Sequence, residues 1–116
     1  HLLSIWQRIR AKDEGAPLSL VQREVLSALD CGEAYGASYL AVTRHDFEGC
    51  LAAIRCPALV FAGDCDPLYD AVAPTLARLA QGEGAELSGG ERTYVCERQS
   101  EQVASLLGKF FSPGES

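Results

Sequence analysis

Residues 54–69 read IRCPALVFAGDCDPLY, and the interpretation of the whole chain depends on this stretch. A continuous apolar run, residues 58–62, follows a proline and ends at Gly63, and two carboxylates, Asp64 and Asp66, come directly after it. Unbroken apolar runs bounded in this way are typical of strands covered on both faces, as in a parallel sheet. The pattern therefore predicts a buried strand whose carboxyl end delivers acidic side chains into a loop.

The sequence before this strand predicts three helices. Apolar residues spaced by three and four indicate a first helix in the first dozen residues, which ends by Gly15. Ser19, followed three residues later by Gln22, is a capping-box signature for a second helix. A third helical stretch covers about residues 33–43. The side chains expected on the inward or shared faces of the second and third helices are Val21, Val25, Leu29, Tyr35, Tyr39 and Val42.

The sequence after the strand predicts a helix, a second strand and a final helix. Asp70 is expected to cap the first of these helices, with Pro74 in its first turn, where proline removes no intrahelical hydrogen bond. The glycines of residues 82–84 are expected to end that helix, and residues 85–88 are expected to form the short strand. Residues 101–111 repeat the helical spacing with a strongly apolar face. The predicted class is therefore α/β.

Two strands are too few for a parallel sheet that is stable by itself, because such a sheet needs neighbours on its edges and faces. The missing strands are expected from another chain, such as a complementary N-terminal half, from a second copy of the chain, or from sequence that has been deleted. Open strand edges favour an oligomer, including one formed by swapping. The chain has no methionine and begins at His1, which is expected of a processed chain or of a piece of a longer one.

Composition restricts the classes of partner. The chain has 116 residues, 47% hydrophobic and 22% charged, as expected for about one small globular domain. Its net charge of −6 argues against nucleic acid and anionic membrane surfaces, which need clustered lysine and arginine. No apolar run approaches the roughly 18 residues of a membrane span, and no leader pattern is seen, so a cytoplasmic protein is expected. Small molecules or proteins are the expected partners.

The cysteines predict neither a zinc site nor a disulfide framework. They show no CxxC pair and no histidine at ligand spacing, and an odd count fits reduced thiols. No metal or other cofactor is expected. Only Cys65 lies where thiol reactivity would matter. The five cysteines are Cys31, Cys50, Cys56, Cys65 and Cys96.

A line of residues that leads into the strand has the spacing of a known family. The matching residues, in order, are His45, Asp46, Phe47, Leu51, Ile54, Pro57, Leu59, Gly63 and Asp66. The line resembles the C-terminal part of the α/β-hydrolase superfamily, in the group with a helical lid inserted before the last strand–helix units. The resemblance implies a lid-like segment over residues 1–45 and the C-terminal βαβα of a hydrolase-like core over residues 46–116. The parallel sheet of that core is incomplete in this chain.

The resemblance implies that Asp66 is the acid of a nucleophile–histidine–acid triad. In that role a carboxylate holds the imidazole in one tautomer and stabilises its cation. Asp64 is the weaker candidate, because an aspartate in a turn commonly accepts hydrogen bonds from nearby backbone amides. Asp66 is therefore the one catalytic residue that the sequence proposes.

The other members of the triad are not visible in the sequence. The family's G-x-S-x-G elbow is absent, since residues 36–38 lack the second glycine and lie in a helical pattern. Depending on the alignment, Glu91 or Arg92 stands where the family has its histidine, and neither can act as imidazole does near neutral pH. A dyad of Cys65 with His45 matches by residue type only, because nothing supplies an oxyanion hole.

Two functions remain open from the sequence. In the first, the chain is the C-terminal portion of an α/β-hydrolase-like protein. Hydrolysis of an ester or thioester, or acyl transfer, then depends on a complementary half that supplies the nucleophile and the base. In the second, the chain is a catalytically degenerate relative that binds a small apolar ligand or a protein. The absent histidine favours the second function.

Overall fold

The computed structural model describes residues 1–112 and 114 and shows a mixed α/β chain that is mostly helical. The chain divides into two compact units, His1–Asp46 and Phe47–Ser116. Within the described residues, the first unit contains helices only, and both strands belong to the second. None of the helices in this described part combines the length and the apolar character that a membrane span needs.

The first unit consists of three helices, α1 (Leu2–Lys12), α2 (Leu18–Cys31) and α3 (Ala34–Arg44), close to the ranges that the sequence predicted. Helices α1 and α2 pack against each other through their apolar faces. Helix α3 contributes no buried residue. The buried apolar side chains of α1 and α2 are Ile5, Ile9, Val21, Val25 and Ala28.

Helix α2 begins differently from the sequence-based prediction. It starts at Leu18 with Pro17 at the N-cap, and no side chain makes a capping hydrogen bond. The prediction of a capping box at Ser19 is therefore wrong. Proline fits here because its fixed φ of −56° is already close to the helical value. The inward position near the end of the helix belongs to Ala28, whereas Leu29 is exposed.

The second unit follows the order helix, strand, helix, strand, helix, helix. Two of its helices, α4 and α6, are short and were not predicted. Its elements are α4 (Phe47–Ala53), β1 (Ala58–Val60), α5 (Val72–Arg78), β2 (Gly82–Gly84), α6 (Val95–Arg98) and α7 (Ser100–Phe111), with a 3-10 turn at Tyr69–Ala71. The predicted cap at Asp70 is wrong, because the 3-10 turn places Ala71 at the N-cap of α5 and no side chain caps the helix.

The two strands form a parallel pair joined through α5. Ala58 lies opposite Gly82 and Val60 opposite Gly84. An isolated parallel bridge between Gly63 and Leu87 continues the pairing past the strand ends. The carboxyl ends of the two strands therefore open on the same side, where a crevice for a ligand forms in sheets of this kind.

The second strand is at residues 82–84 and not at 85–88, so that prediction is wrong. Glycine at these positions suggested only the end of a helix, but the packing shows a second reason for it. A Cβ atom at Gly84 would lie 2.8 Å from Cδ1 of Leu76 on α5. Both ends of the strand are glycine because side chains at the end of α5 and just after it pack directly onto its backbone.

The apolar surfaces of the second unit are only partly covered. The side chains of residues 58–62 are half-buried, so the expected cover on both faces is not present in the described chain. Helix α7 has the predicted spacing, with Val103 buried, but Phe111 on the same stripe is 75% exposed. The buried apolar side chains of this unit are Leu51, Leu87 and Val103.

Candidate functional site

The candidate site is the pair of loops that follow β1 and β2. The Asp64 N–H donates to the carbonyl oxygen of Leu87 at 3.0 Å, directly after the bridge between Gly63 and Leu87. A Cβ atom at Gly63 would lie 3.1 Å from the carbonyl oxygen of Glu91. Glycine at this position therefore lets the two loops lie against each other.

Asp64 connects the two loops through its carboxylate. Its Oδ1 accepts a hydrogen bond of 2.9 Å from the Gly90 N–H, and its Oδ2 lies 3.4 Å from the Gly89 nitrogen. Gly90 has a φ of +78°, a conformation that favours glycine. The expectation that Asp64 binds amides of its own turn is wrong, because it binds the turn that follows the other strand.

Asp66 takes the local role instead. Its Oδ1 accepts a hydrogen bond of 2.7 Å from the Leu68 N–H, and its own N–H donates to the Gly63 carbonyl at 3.0 Å. These bonds fix the carboxylate at the start of the loop. Among the described residues, Oδ2 of Asp66 receives no hydrogen bond. One carboxylate oxygen is thus held by the backbone, and the other is available to an incoming donor.

The half-buried Asp66 lines a cavity of about 230 Å³ at the end of β1. Apolar groups form most of its wall, including Phe61, Val72 and Val95. A carboxylate in such a wall is an acceptor for a donor that enters from the cavity or from a neighbouring chain. The two aspartates therefore have different roles. Asp64 links the two loops, and Asp66 keeps one carboxylate oxygen without a hydrogen-bond partner among the described residues.

The loop after β2 holds no imidazole where the resemblance expects one. Oε2 of Glu91 lies 2.5 Å from Nη2 of Arg98, in a partly buried ion pair. A carboxylate held by a guanidinium is occupied in an ion pair and does not take the place of an imidazole. Arg92, the other candidate, is exposed. The described part of the chain thus brings the two loops together with no imidazole between them.

The two residues of the possible dyad, Cys65 and His45, belong to different units. His1 and His45 both belong to the first unit, and His45 is exposed directly after α3. Cys65 is exposed in the loop between the two aspartates, in the second unit. All five cysteines are free and exposed. Over residues 1–112 and 114, no group of three or more His, Cys, Asp or Glu side chains is arranged to hold a metal ion.

Sequence reasoning missed Gln99, the one buried polar side chain among the described residues. Its Nε2 donates to the Ser88 carbonyl at 2.9 Å and to Oε1 of Gln102 at 2.5 Å. A Cβ atom at Gly89 would lie 2.4 Å from that Nε2, so the amide packs against the glycine backbone. The Gly-Gly pair is the available signal, because adjacent glycines commonly mark a close approach by another group.

The comparisons with known proteins identify no relative of this chain. Searches of the chain against protein-family models, curated proteins and solved structures found no match. The resemblance to the α/β-hydrolase superfamily therefore stays a prediction from the sequence line that ends at Asp66.

Proposed function

We propose that the chain is the C-terminal portion of an α/β-hydrolase-like protein, in which Asp66 is the acid of the catalytic triad. Hydrolysis of an ester or thioester, or acyl transfer, requires a complementary half that supplies the nucleophile and the base. The lid-like segment is the first unit, and the core portion is the second. The chain by itself is expected to be inactive.

The single observation that carries this proposal is the unused oxygen of Asp66 at the end of a parallel strand. An acid of a triad must accept a hydrogen bond from an imidazole N–H while its own position is fixed. Asp66 fits both conditions, because Oδ1 is held by the Leu68 N–H, Oδ2 has no hydrogen-bond partner among the described residues, and the residue lines a cavity.

The exposed apolar surface supports the requirement for a complementary chain. The sheet has two strands over the described residues, and the strand side chains are only half-buried. A parallel pair of this size gains stability from further strands and from helices on both faces. A complementary half, or a second copy of the chain, would supply that cover.

One observation favours a second candidate function, a catalytically degenerate relative that binds a small apolar ligand or a protein. The ion pair between Glu91 and Arg98 occupies the loop position that the resemblance assigns to the histidine. If no other chain brings an imidazole to Asp66, the crevice can still bind a ligand but cannot catalyse the reaction.

An esterase assay of the chain assembled with its complementary half tests the proposal. The substrate is a p-nitrophenyl ester, and the variants are Asp66→Asn and Asp64→Asn. We expect Asp66→Asn to lower turnover by about a thousandfold or more, because the amide fixes the wrong imidazole tautomer. We expect Asp64→Asn to lower turnover much less, since the Asp64 carboxylate accepts a hydrogen bond from Gly90 and only holds the loop in position.

Circular dichroism of both variants controls for loss of the fold. Equal turnover in the wild type and in a folded Asp66→Asn variant would rule out the acid role. A correctly assembled pair of chain and complementary half without any turnover on aryl esters would favour the degenerate binding protein.

A further inference from the structure

A second cavity, larger than the one at Asp66, lies between the 3-10 turn, α5 and the end of β2. Its volume is about 420 Å³, within the range of small-molecule sites in proteins. Apolar groups form its floor, including Val72 and Leu76 from α5 and Ala85 after β2. Neither Asp66 nor Asp64 lines it. The cavity therefore adjoins the one at Asp66, with Ala62 and Val72 in both linings, but it contains neither aspartate of the candidate site.

Two carboxylates stand on different walls of this cavity. Asp70 comes from the 3-10 turn, and Glu86 comes from the segment after β2. Both are exposed, and within the described residues neither makes an ion pair or accepts a hydrogen bond. Tyr69 adds an aromatic ring to the same lining. An apolar floor with acidic and aromatic groups around it has the chemistry that recognises an organic cation.

We propose that this cavity binds a small amphiphilic amine, a ligand with an apolar body and one protonated nitrogen. The body packs on Val72, Leu76 and Ala85, and the ammonium lies toward Asp70 and Glu86. The net charge of −6 adds a general attraction for cations and a repulsion for anions. A metal ion fits less well, because it would leave the apolar floor unused.

The proposal does not depend on the hydrolase-like function, because binding is measured on the 116-residue chain without any substrate turnover. The probe is 2-phenylethylamine, and 2-phenylethanol is its neutral counterpart of similar shape. The measurement is the shift of backbone amide signals in a ¹⁵N-labelled sample. We expect saturable shifts on residues 69–76 and 84–86, with a dissociation constant on the order of 1 mM.

The charge requirement is tested with Asp70→Asn and Glu86→Gln. Each variant is expected to weaken amine binding about two- to fivefold, as for exposed ion pairs, and the two together about tenfold. Affinity for 2-phenylethanol should stay the same in all of them. The matched control is Glu83→Gln, an exposed carboxylate on β2 that does not line the cavity. It should leave amine binding unchanged.

The cavity itself is tested with Ala73→Phe, which adds a ring to an exposed position of the lining. This variant should lose the binding of both the amine and the alcohol, while its remaining amide signals keep their positions. Equal affinity of the wild type for amine and alcohol would overturn the proposal. Amine shifts outside residues 69–76 and 84–86, or shifts produced by calcium chloride and not by the amine, would also overturn it.

Discussion

Replacing Gly89 with alanine tests how closely the turn after β2 packs on the amide of Gln99. The added Cβ would lie 2.4 Å from Nε2 of Gln99 and 2.9 Å from its Cδ, closer than any real contact. The backbone cannot turn away easily, because the Asp64 carboxylate accepts from the Gly90 N–H in the same turn. The glutamine side chain must move, and its hydrogen bonds with Ser88 and Gln102 must break.

Two contributions set the expected loss of stability. Two hydrogen bonds of neutral groups contribute about 1 kcal/mol each. The φ of +155° at Gly89 is rarely adopted by residues with a side chain and adds about 1 kcal/mol of strain. We expect Gly89→Ala to lower the free energy of unfolding of the second unit by about 3 kcal/mol. Gly90→Ala meets no atom within 4 Å and should cost only about 1 kcal/mol of strain.

The assay is chemical denaturation followed by far-ultraviolet circular dichroism, with hydrogen exchange of the Val103 amide to report on the second unit. A double variant, Gly89→Ala with Gln99→Ala, separates the clash from the strain. Because alanine at position 99 removes the amide that clashes, the double variant should cost about 1–2 kcal/mol less than the sum of the two single variants. Additive costs, or equal costs for Gly89→Ala and Gly90→Ala, would refute the reasoning.

Three further predictions concern other contacts. Gly84→Ala places a Cβ 2.8 Å from a leucine methyl of α5 and should lower the free energy of unfolding by about 1–2 kcal/mol, measured by denaturation. Asp64→Ala should cost about 1 kcal/mol and speed hydrogen exchange of the Gly90 amide, and unchanged exchange would contradict the link between the loops. The hydrogen bond with Tyr39 raises the pKa of Tyr35 above its ordinary value of about 10. The stability that this raised pKa contributes is present below pH 10 and is lost as the pH rises above it. Tyr39→Phe should therefore lower the pKa of Tyr35 in a carbon-13 NMR titration. It should also remove the part of the loss of stability at alkaline pH that comes from this hydrogen bond.

Local patterns predicted the longer helices well, because each depends on the spacing of its own apolar residues, but they missed the short helices α4 and α6. The predicted ranges of α1 and α7 agree closely with the observed ones. The caps were less predictable, since Ser19 and Asp70 have suitable side chains but the backbone places Pro17 and Ala71 at the N-caps. The N-cap residue is determined by the point at which the backbone becomes helical. A local sequence pattern does not specify that point.

The contacts between distant residues were not predictable from local patterns. The glycines of β2 were interpreted as the end of a helix, because their packing against Leu76 involves a different element. The partner of Asp64 is likewise 26 residues away, at Gly90. Sequence spacing placed both aspartates after a strand, but only the fold shows that Asp64 binds across to the other loop while Asp66 caps its own.

The register of the two strands also affects the order of folding. Ala58 can pair with Gly82 only after the intervening chain has closed a loop, and that closure costs entropy before any strand contact forms. Helices α1 and α2 are joined by a short connection, so their contacts form between near neighbours in the sequence. Because local contacts form faster than distant ones, we expect the helical unit to fold first and the strand pair to limit the rate of refolding.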